Sequence, residues 1–447
     1  MRPTAGASNP REKAKMYAVP AFRPTRRLAL VAALGLLCGA LHAQPAAKPE
    51  DLGLSPAGLA KIGDWMRAEV AAKKIPGATI MIVRGGKLAY AETVGQRDPS
   101  KPDPMKADDI FRIYSMTKPL TSVAAMMLVE EGKLELDAPV AKYIPVFADL
   151  KVGVEKSDAG AKTLEIVDAA RPMTVRDLLR HTSGLTYGFF GQGLVKQAYR
   201  EARIGAEGDI SNAQFAEAIA KLPLAYQPGS TWDYSNSTDV LGRVIEVASG
   251  QPLGVFLKAR LFDPLGMKDT SFYVVEPERQ ARLAEPFADD RVTPNAPLFD
   301  PRKPLAMESG GGGLVSTAAD YTRFLMMLRN GGQLDGKRYL GEATLKEMIR
   351  DHLGPQVQRT ALYLPGAGYG FGLGFAVRTA PASGKPDSAV GEYFWGGAGG
   401  TYMWVDPVND LFVVYMMQSP KQRTPHRAAL RELVYGAVTD AKVAAAK

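Results

Sequence analysis

Apolar residues recur at three- and four-residue intervals through Leu59, Ile62, Met66 and Val70, and Ser55-Pro56 stands just ahead of them as an N-cap and first helical position. That spacing predicts an amphipathic helix. A hairpin follows it. Residues 78–84 and 87–93 are rich in β-branched and apolar side chains and are joined by Gly85-Gly86, a pair that tolerates the positive φ of a two-residue turn. A second hairpin is predicted near the other end, where residues 401–405 and 411–417 flank Asp406-Pro407-Val408-Asn409-Asp410. A last helix over about residues 425–438 places Leu430, Leu433, Val434 and Ala437 on one side. Between these ends the chain reads as helical and loop-rich, with helices expected at 174–180, 212–221, 239–249 and 318–329.

Hairpins are rarely stable alone, so two at opposite ends of a chain most economically join one antiparallel sheet covered by the two terminal helices. The fold class is therefore α+β. Residues 44–120 and 310–447 form a discontinuous sheet domain in this reading, and residues 121–309 form a mostly helical inserted domain. A site is expected in the cleft between the two.

The formal charge of +8 is not spread evenly: residues 1–43 carry Arg2, Arg11, Lys13, Lys15, Arg23, Arg26 and Arg27 against the single acid Glu12. The apolar run 28–41 follows Arg26-Arg27 directly and closes at Leu41-His42-Ala43, the order of a secretory signal peptide. Cleavage after Ala43 would release a periplasmic or secreted protein with no stable membrane anchor, whether translation begins at Met1 or at Met16. The sole cysteine, Cys38, leaves with the leader. The mature chain then has no thiol for a disulfide, metal site or nucleophile, and too little excess charge to suggest nucleic acid.

Ser115-Met116-Thr117-Lys118 opens a segment whose apolar residues Leu120, Val123, Ala124, Met127 and Leu128 have helical spacing up to Gly132. Three residues is close to one turn, so the serine hydroxyl and the lysine amine share a face. A serine is a weak nucleophile until a neighbouring base takes its proton. Tyr234-Ser235-Asn236 follows a Pro228-Gly229 turn; its phenol can relay a proton, and its amide can orient the lysine and donate to a substrate carbonyl. In Tyr393-Phe394-Trp395-Gly396-Gly397-Ala398-Gly399-Gly400, glycines at a strand edge let a substrate approach the backbone, and a donor there could pair with the Ser115 amide in an oxyanion hole. Taken singly, each motif fits equally a capped helix, a capped turn or a packing tryptophan. The mature chain has no Gly-x-Ser-x-Gly and no His-Glu-x-x-His, and His181 reads as structural at a helix end. The runs Gly310 to Gly313 and Gly370 to Gly374 match no phosphate-binding fingerprint, so neither cofactor nor metal is expected.

The segments 111–118, 178–185 with its His-Thr-Ser-Gly, Tyr234-Ser235-Asn236 and 310–317, in this order, resemble the serine β-lactamase-fold hydrolases: class C β-lactamases, DD-peptidases and β-lactamase-like esterases. The resemblance covers nearly the whole mature chain. It implies that Ser115 is acylated, Lys118 is its base or proton partner, Tyr234 relays the proton and Asn236 positions. The Ser115 and Ala398 amides would form the oxyanion hole. Where the lactamases and peptidases carry Lys-Thr-Gly or its histidine variant, this chain has Trp395-Gly396-Gly397. A missing cation weakens recognition of an anionic acyl donor. The resemblance therefore implies a carboxylesterase acting on small esters; a β-lactamase or D-stereospecific peptidase acting on amides, and a non-catalytic penicillin- or cell-wall-binding module, are the alternatives.

Overall fold

Strands that are apolar without interruption, such as Leu411–Met417, must be covered on both faces. The computed structural model, which describes residues 48–440 except 159–160, 205–208, 294–297 and 382–387, supplies two covers. Leu411, Val413, Tyr415 and Met417 pack into the core shared with the terminal helices, and Phe412, Val414 and Met416 into the larger core on the opposite face. The expected leader and its cleavage site lie outside the described residues.

Helix α1 (Pro56–Ala71) starts where the Ser55 hydroxyl accepts the Gly58 amide at 3.1 Å. Strands β1 (Gly77–Arg84) and β2 (Lys87–Asp98) turn on Gly85 and Gly86, at φ 58° and 71°. A short β3 (Asp103–Pro104) follows. A 3-10 turn, Tyr114–Met116, then leads into α2 (Thr117–Glu130), which is buried along most of its length. The inserted region holds the hairpin β4 (Lys151–Asp158) and β5 (Ala161–Asp168), then α3 (Val175–Leu179), α4 (Leu194–Ala202), α5 (Asn212–Ile219) and α6 (Ser237–Ser249). The chain returns through α7 (Ala318–Arg329) to β6 (Tyr369–Phe371), β7 (Ala376–Arg378), β8 (Tyr393–Gly396), β9 (Tyr402–Asp406) and β10 (Leu411–Met417), and ends on α8 (Arg423–Gly436).

The eight strands form one antiparallel sheet in the order β6-β7-β8-β9-β10-β1-β2-β3. The first and last hairpins meet at its centre, with Ala78 opposite Met417 and Arg84 opposite Leu411. This is the sheet anticipated from the two ends of the sequence. The insertion differs from expectation in carrying the β4–β5 hairpin, where charged residues interrupt the alternation and Ile166 and Val154 stay exposed. Its anchor is Val152, which pairs with Leu224 and reaches the large core.

Candidate active site

Ser115 lies in the 3-10 turn just ahead of α2, not in the helix itself. The preceding Tyr114 has φ 46°, a left-handed conformation that non-glycine residues seldom adopt. It is held there from both ends: its phenol accepts the Phe299 amide at 3.2 Å and its ring meets Phe299 edge-on at 5.2 Å. Behind the turn, the Met116 carbonyl accepts from the Tyr321 hydroxyl at 2.9 Å. The half-buried Ser115 is thereby lifted out of the helical ladder at the edge of the cleft.

Lys118, one turn on, is buried. Its ammonium donates to the Gly311 carbonyl at 2.7 Å and to the Tyr187 phenol at 3.2 Å, and it sits 4.5 Å from the centroid of the Tyr234 ring. The Gly311 carbonyl is presented by a glycine loop pinned to α2, where Thr121 donates to Gly310 at 2.9 Å and Thr117 accepts the Leu314 amide at 3.1 Å. The buried Asp239 closes the circuit. Its carboxylate accepts the Gly311 amide at 3.1 Å and the Ser309 hydroxyl at 2.5 Å, and it faces the Tyr187 phenol. Burial, then the Asp239 charge, pushes the Tyr187 phenol well above its ordinary pKa, so it stays protonated. A Cβ on Gly311 would come within 2.6 Å of the Asp239 carboxylate, so only glycine fits between the two.

Around the lysine stands an aromatic wall. Tyr234 contacts Tyr187 at 5.3 Å, Trp395 at 5.4 Å and Trp232 at 6.2 Å between ring centroids; Phe371 packs edge-on against Trp395 at 5.3 Å. Phe189, largely exposed, stacks on Tyr187 at 4.8 Å, and Tyr363 meets Trp232 at 4.8 Å. The Tyr234 hydroxyl and the Trp395 indole N–H are both buried and have no hydrogen-bond partner among the described residues. Buried donors in that state mark a place prepared for a ligand.

A second layer holds the wall. Lys196 from α4 and Asp233 form a buried ion pair at 2.8 Å, and both bond the Thr186 hydroxyl, at 2.6 and 2.5 Å. Thr186 and Asp233 directly precede Tyr187 and Tyr234 in the chain. His181, at φ 58°, packs its ring 5.0 Å from that of Tyr234 and pairs its Nδ1 with the Ser235 hydroxyl at 3.3 Å. Burial and the Lys118 charge drive its pKa well below the usual imidazole value, leaving it neutral.

Lys118, Tyr187, Tyr234 and Trp395 are thus brought together, and Ser115 stands one turn before Lys118 in the 3-10 turn that leads into α2. Lys118 is held by Tyr187 and Gly311, and the Asn236 amide N–H donates to the Thr186 carbonyl at 2.9 Å, next to Tyr187 in the chain. Gly396 departs from expectation: its open side is turned toward Arg427, since β8 points Trp395 into the large core and the next residue the other way. Gly397 and Ala398 lie in a turn next to the nucleophile segment, where a Cβ on Gly397 would come within 2.4 Å of the Ile113 carbonyl. No acceptor within the protein takes the amides of Ser115 or Ala398 among the described residues. Asp239 and the Lys196–Asp233 pair escaped the sequence reading. The one available signal was the closeness of Asp233 and Asp239 to Tyr234 in the chain.

Comparison with known proteins agrees with this geometry. The family profile described as Beta-lactamase matches residues 62–436. Esterase EstB of Burkholderia gladioli is 32% identical over 392 residues, covering 81% of this chain and 91% of its own. Protein Rv1367c of Mycobacterium tuberculosis is 37% identical over 356 residues, covering 77% of this chain and 86% of its own. Among solved structures, EstCE1, a hydrolase with promiscuous acyltransferase activity, superposes with a TM-score of 0.68 at 27% identity, covering 86% of this chain and 99% of that one.

Proposed function

The chain belongs to the Beta-lactamase family, and from that premise we propose that it is a serine carboxylesterase that hydrolyses small, uncharged acyl esters through an acyl-enzyme on Ser115. The observation that carries this reading is the wall around Lys118. It is built from Tyr187, Tyr234, Trp232, Trp395 and Phe371, and among the described residues no cation other than Lys118 stacks on Tyr187 or Tyr234 and none on Trp395. With Trp395 standing where the lactamases carry a cation, a carboxylate-bearing β-lactam or peptide loses that counter-charge, whereas an ester's acyl group buries apolar surface. The names of the esterase and hydrolase relatives point the same way.

Ser115 Oγ bonds to the acyl carbon while its proton passes to Lys118, which enters this step as the free amine and leaves it as the ammonium, and the carbonyl oxygen, now anionic, is held by the Ser115 and Ala398 amides. As the ester C–O bond breaks, Tyr234 gives its phenolic proton to the departing alkoxide and is reprotonated by Lys118. Water then attacks the acyl-serine along the same route in reverse, and the acid leaves. Tyr187, which bonds Lys118 and faces Asp239, holds the lysine in place; Tyr234, whose hydroxyl has no partner among the described residues, is the phenol free to move the proton. Export of the mature chain, read from the basic and apolar order of residues 1–43, belongs to the same proposal.

Incubation with a fluorophosphonate followed by peptide mass mapping tests the nucleophile. One adduct on Ser115, absent from Ser115→Ala, is expected; labelling elsewhere with Ser115 unmodified would refute the assignment.

A further inference from the structure

The Trp-Gly-Gly strand has a cation behind it. Arg427, from the terminal helix α8, donates from Nη2 to the Gly397 carbonyl at 2.9 Å and, more weakly, to the Thr401 carbonyl at 3.4 Å. It has no carboxylate partner among the described residues, unlike its neighbour Arg431, which pairs with Glu392 at 2.7 Å. Its Nε is buried without an acceptor among the described residues. Burial lowers the pKa of its guanidinium to about 10. The partly buried guanidinium also rests on the Tyr402 ring, 5.2 Å from its centroid, but no carboxylate partner explains its placement.

The carbonyl it grips does. A peptide unit is planar, with its C=O and N–H pointing in opposite directions. The donor that grips the Gly397 carbonyl therefore fixes where the next amide, that of Ala398, points. The same carbonyl accepts the Gly400 amide at 3.2 Å, and the Gly397 amide donates to Thr401 at 2.8 Å, so the turn is closed on itself. Thr401 Oγ1 ties it to the Ile113 carbonyl at 3.2 Å, two residues before Ser115. Gly396 has no side chain where the guanidinium passes: a Cβ there would lie 2.4 Å from Nη2. The first glycine of Trp-Gly-Gly thus admits the cation to the carbonyl behind the cleft.

We propose that Arg427 is a positioning residue for the oxyanion hole: by holding the Gly397 carbonyl from the far side of the sheet, it aims and polarises the Ala398 N–H toward the carbonyl oxygen of an ester bound at Ser115. A cation on an amide's oxygen strengthens its N–H as a donor, and that gain is realised where negative charge develops. This inference rests on the Ser115 reading above.

The test compares Arg427→Met, Arg427→Lys and Ser115→Ala on p-nitrophenyl butyrate across pH 6–10, with thermal unfolding measured in parallel. Arg427→Met is expected to lose about 30-fold in kcat with KM within about twofold, below the ~10²–10³-fold cost of deleting a donor outright. Arg427→Lys is expected to keep kcat within about fivefold of the native enzyme near neutrality. It should also gain an alkaline loss of kcat at lower pH than the native enzyme, because lysine gives up its proton more readily than arginine. A merely structural residue would not create that limb. A kcat for Arg427→Met within twofold of native, or a folded Arg427→Lys without the new alkaline limb, would overturn the proposal. Should Arg427→Met fail to fold, the pH profile of Arg427→Lys decides. Turnover by Ser115→Ala would instead remove the premise.

Discussion

Lys196→Met isolates the buried ion pair behind the two site tyrosines. Lys196 and Asp233 are 6% and 2% exposed, bonded at 2.8 Å, and share the Thr186 hydroxyl. Methionine keeps the apolar stem and removes the charge, so the main effect is an Asp233 carboxylate left buried with the Thr186 hydroxyl as its remaining side-chain donor among the described residues. Breaking a buried pair from one side costs about 3–5 kcal/mol. At about 2.1 cal/mol/K per residue, a folded unit of about 400 residues has an unfolding entropy near 0.8 kcal/mol/K, so the melting temperature should fall by about 4–6 °C. The loss should depend on pH. Burial already holds the Asp233 pKa above its ordinary value, and the Lys196 charge is the largest influence opposing that rise. Without Lys196 the folded pKa climbs further, so the folded state favours the protonated acid and stability falls as pH rises past the unfolded carboxylate's range, near 4. Scanning calorimetry at pH 5 and 8 should therefore find the larger deficit at pH 8. Asp233→Asn added to Lys196→Met should recover part of it, giving a coupling above about 1 kcal/mol in a double-mutant cycle. Equal deficits at the two pH values, or strictly additive losses, would refute the reasoning.

Three further outcomes follow from the site and its surroundings. Tyr234→Phe should lower kcat on p-nitrophenyl butyrate by about 10²–10³-fold by removing the proton carrier, and Tyr187→Phe by about tenfold by loosening Lys118; the reverse order in steady-state kinetics would exchange their roles. Trp395→Lys should raise the ratio of nitrocefin to ester turnover, and an unchanged ratio would show that the indole does not stand where the lactamase cation stands. The Asp320 carboxyl is raised to about 6 by burial, which outweighs its bonds from Thr270 and the Asp269 amide. Its folded pKa lies above the unfolded one, so its contribution to stability declines as pH rises through about 4 to 6. Asp320→Asn should consequently stabilise by about 1 kcal/mol more at pH 8 than at pH 5, read as a difference in melting temperature.

What the sequence carried plainly was periodicity and local chemistry. The two hairpins, both terminal helices and their pairing into one sheet follow from Gly85-Gly86, the turn 406–410 and apolar faces such as Leu59-Ile62-Met66, all of them contacts close in sequence or repeated along an element. Ser115, Lys118 and Tyr234 were recognisable because each motif is short. Contacts across the sheet or between distant loops were not legible. Nothing in Leu185-Thr186-Tyr187 reveals that the tyrosine's phenol meets a lysine 69 positions away. The bond between Lys118 and the Gly311 carbonyl, 193 residues apart, leaves no local trace. Arg427 reads on its helix as one more basic residue. The β4–β5 hairpin was hidden by alternating charges on strands that bury little beyond Val152.

The central claim is ester hydrolysis through Ser115, and kcat/KM of the mature protein on p-nitrophenyl butyrate and on nitrocefin, side by side with Ser115→Ala, tests it most directly. The account predicts ester turnover that exceeds nitrocefin turnover and disappears in Ser115→Ala. Dominant nitrocefin turnover, or ester turnover that survives loss of the hydroxyl, would contradict it.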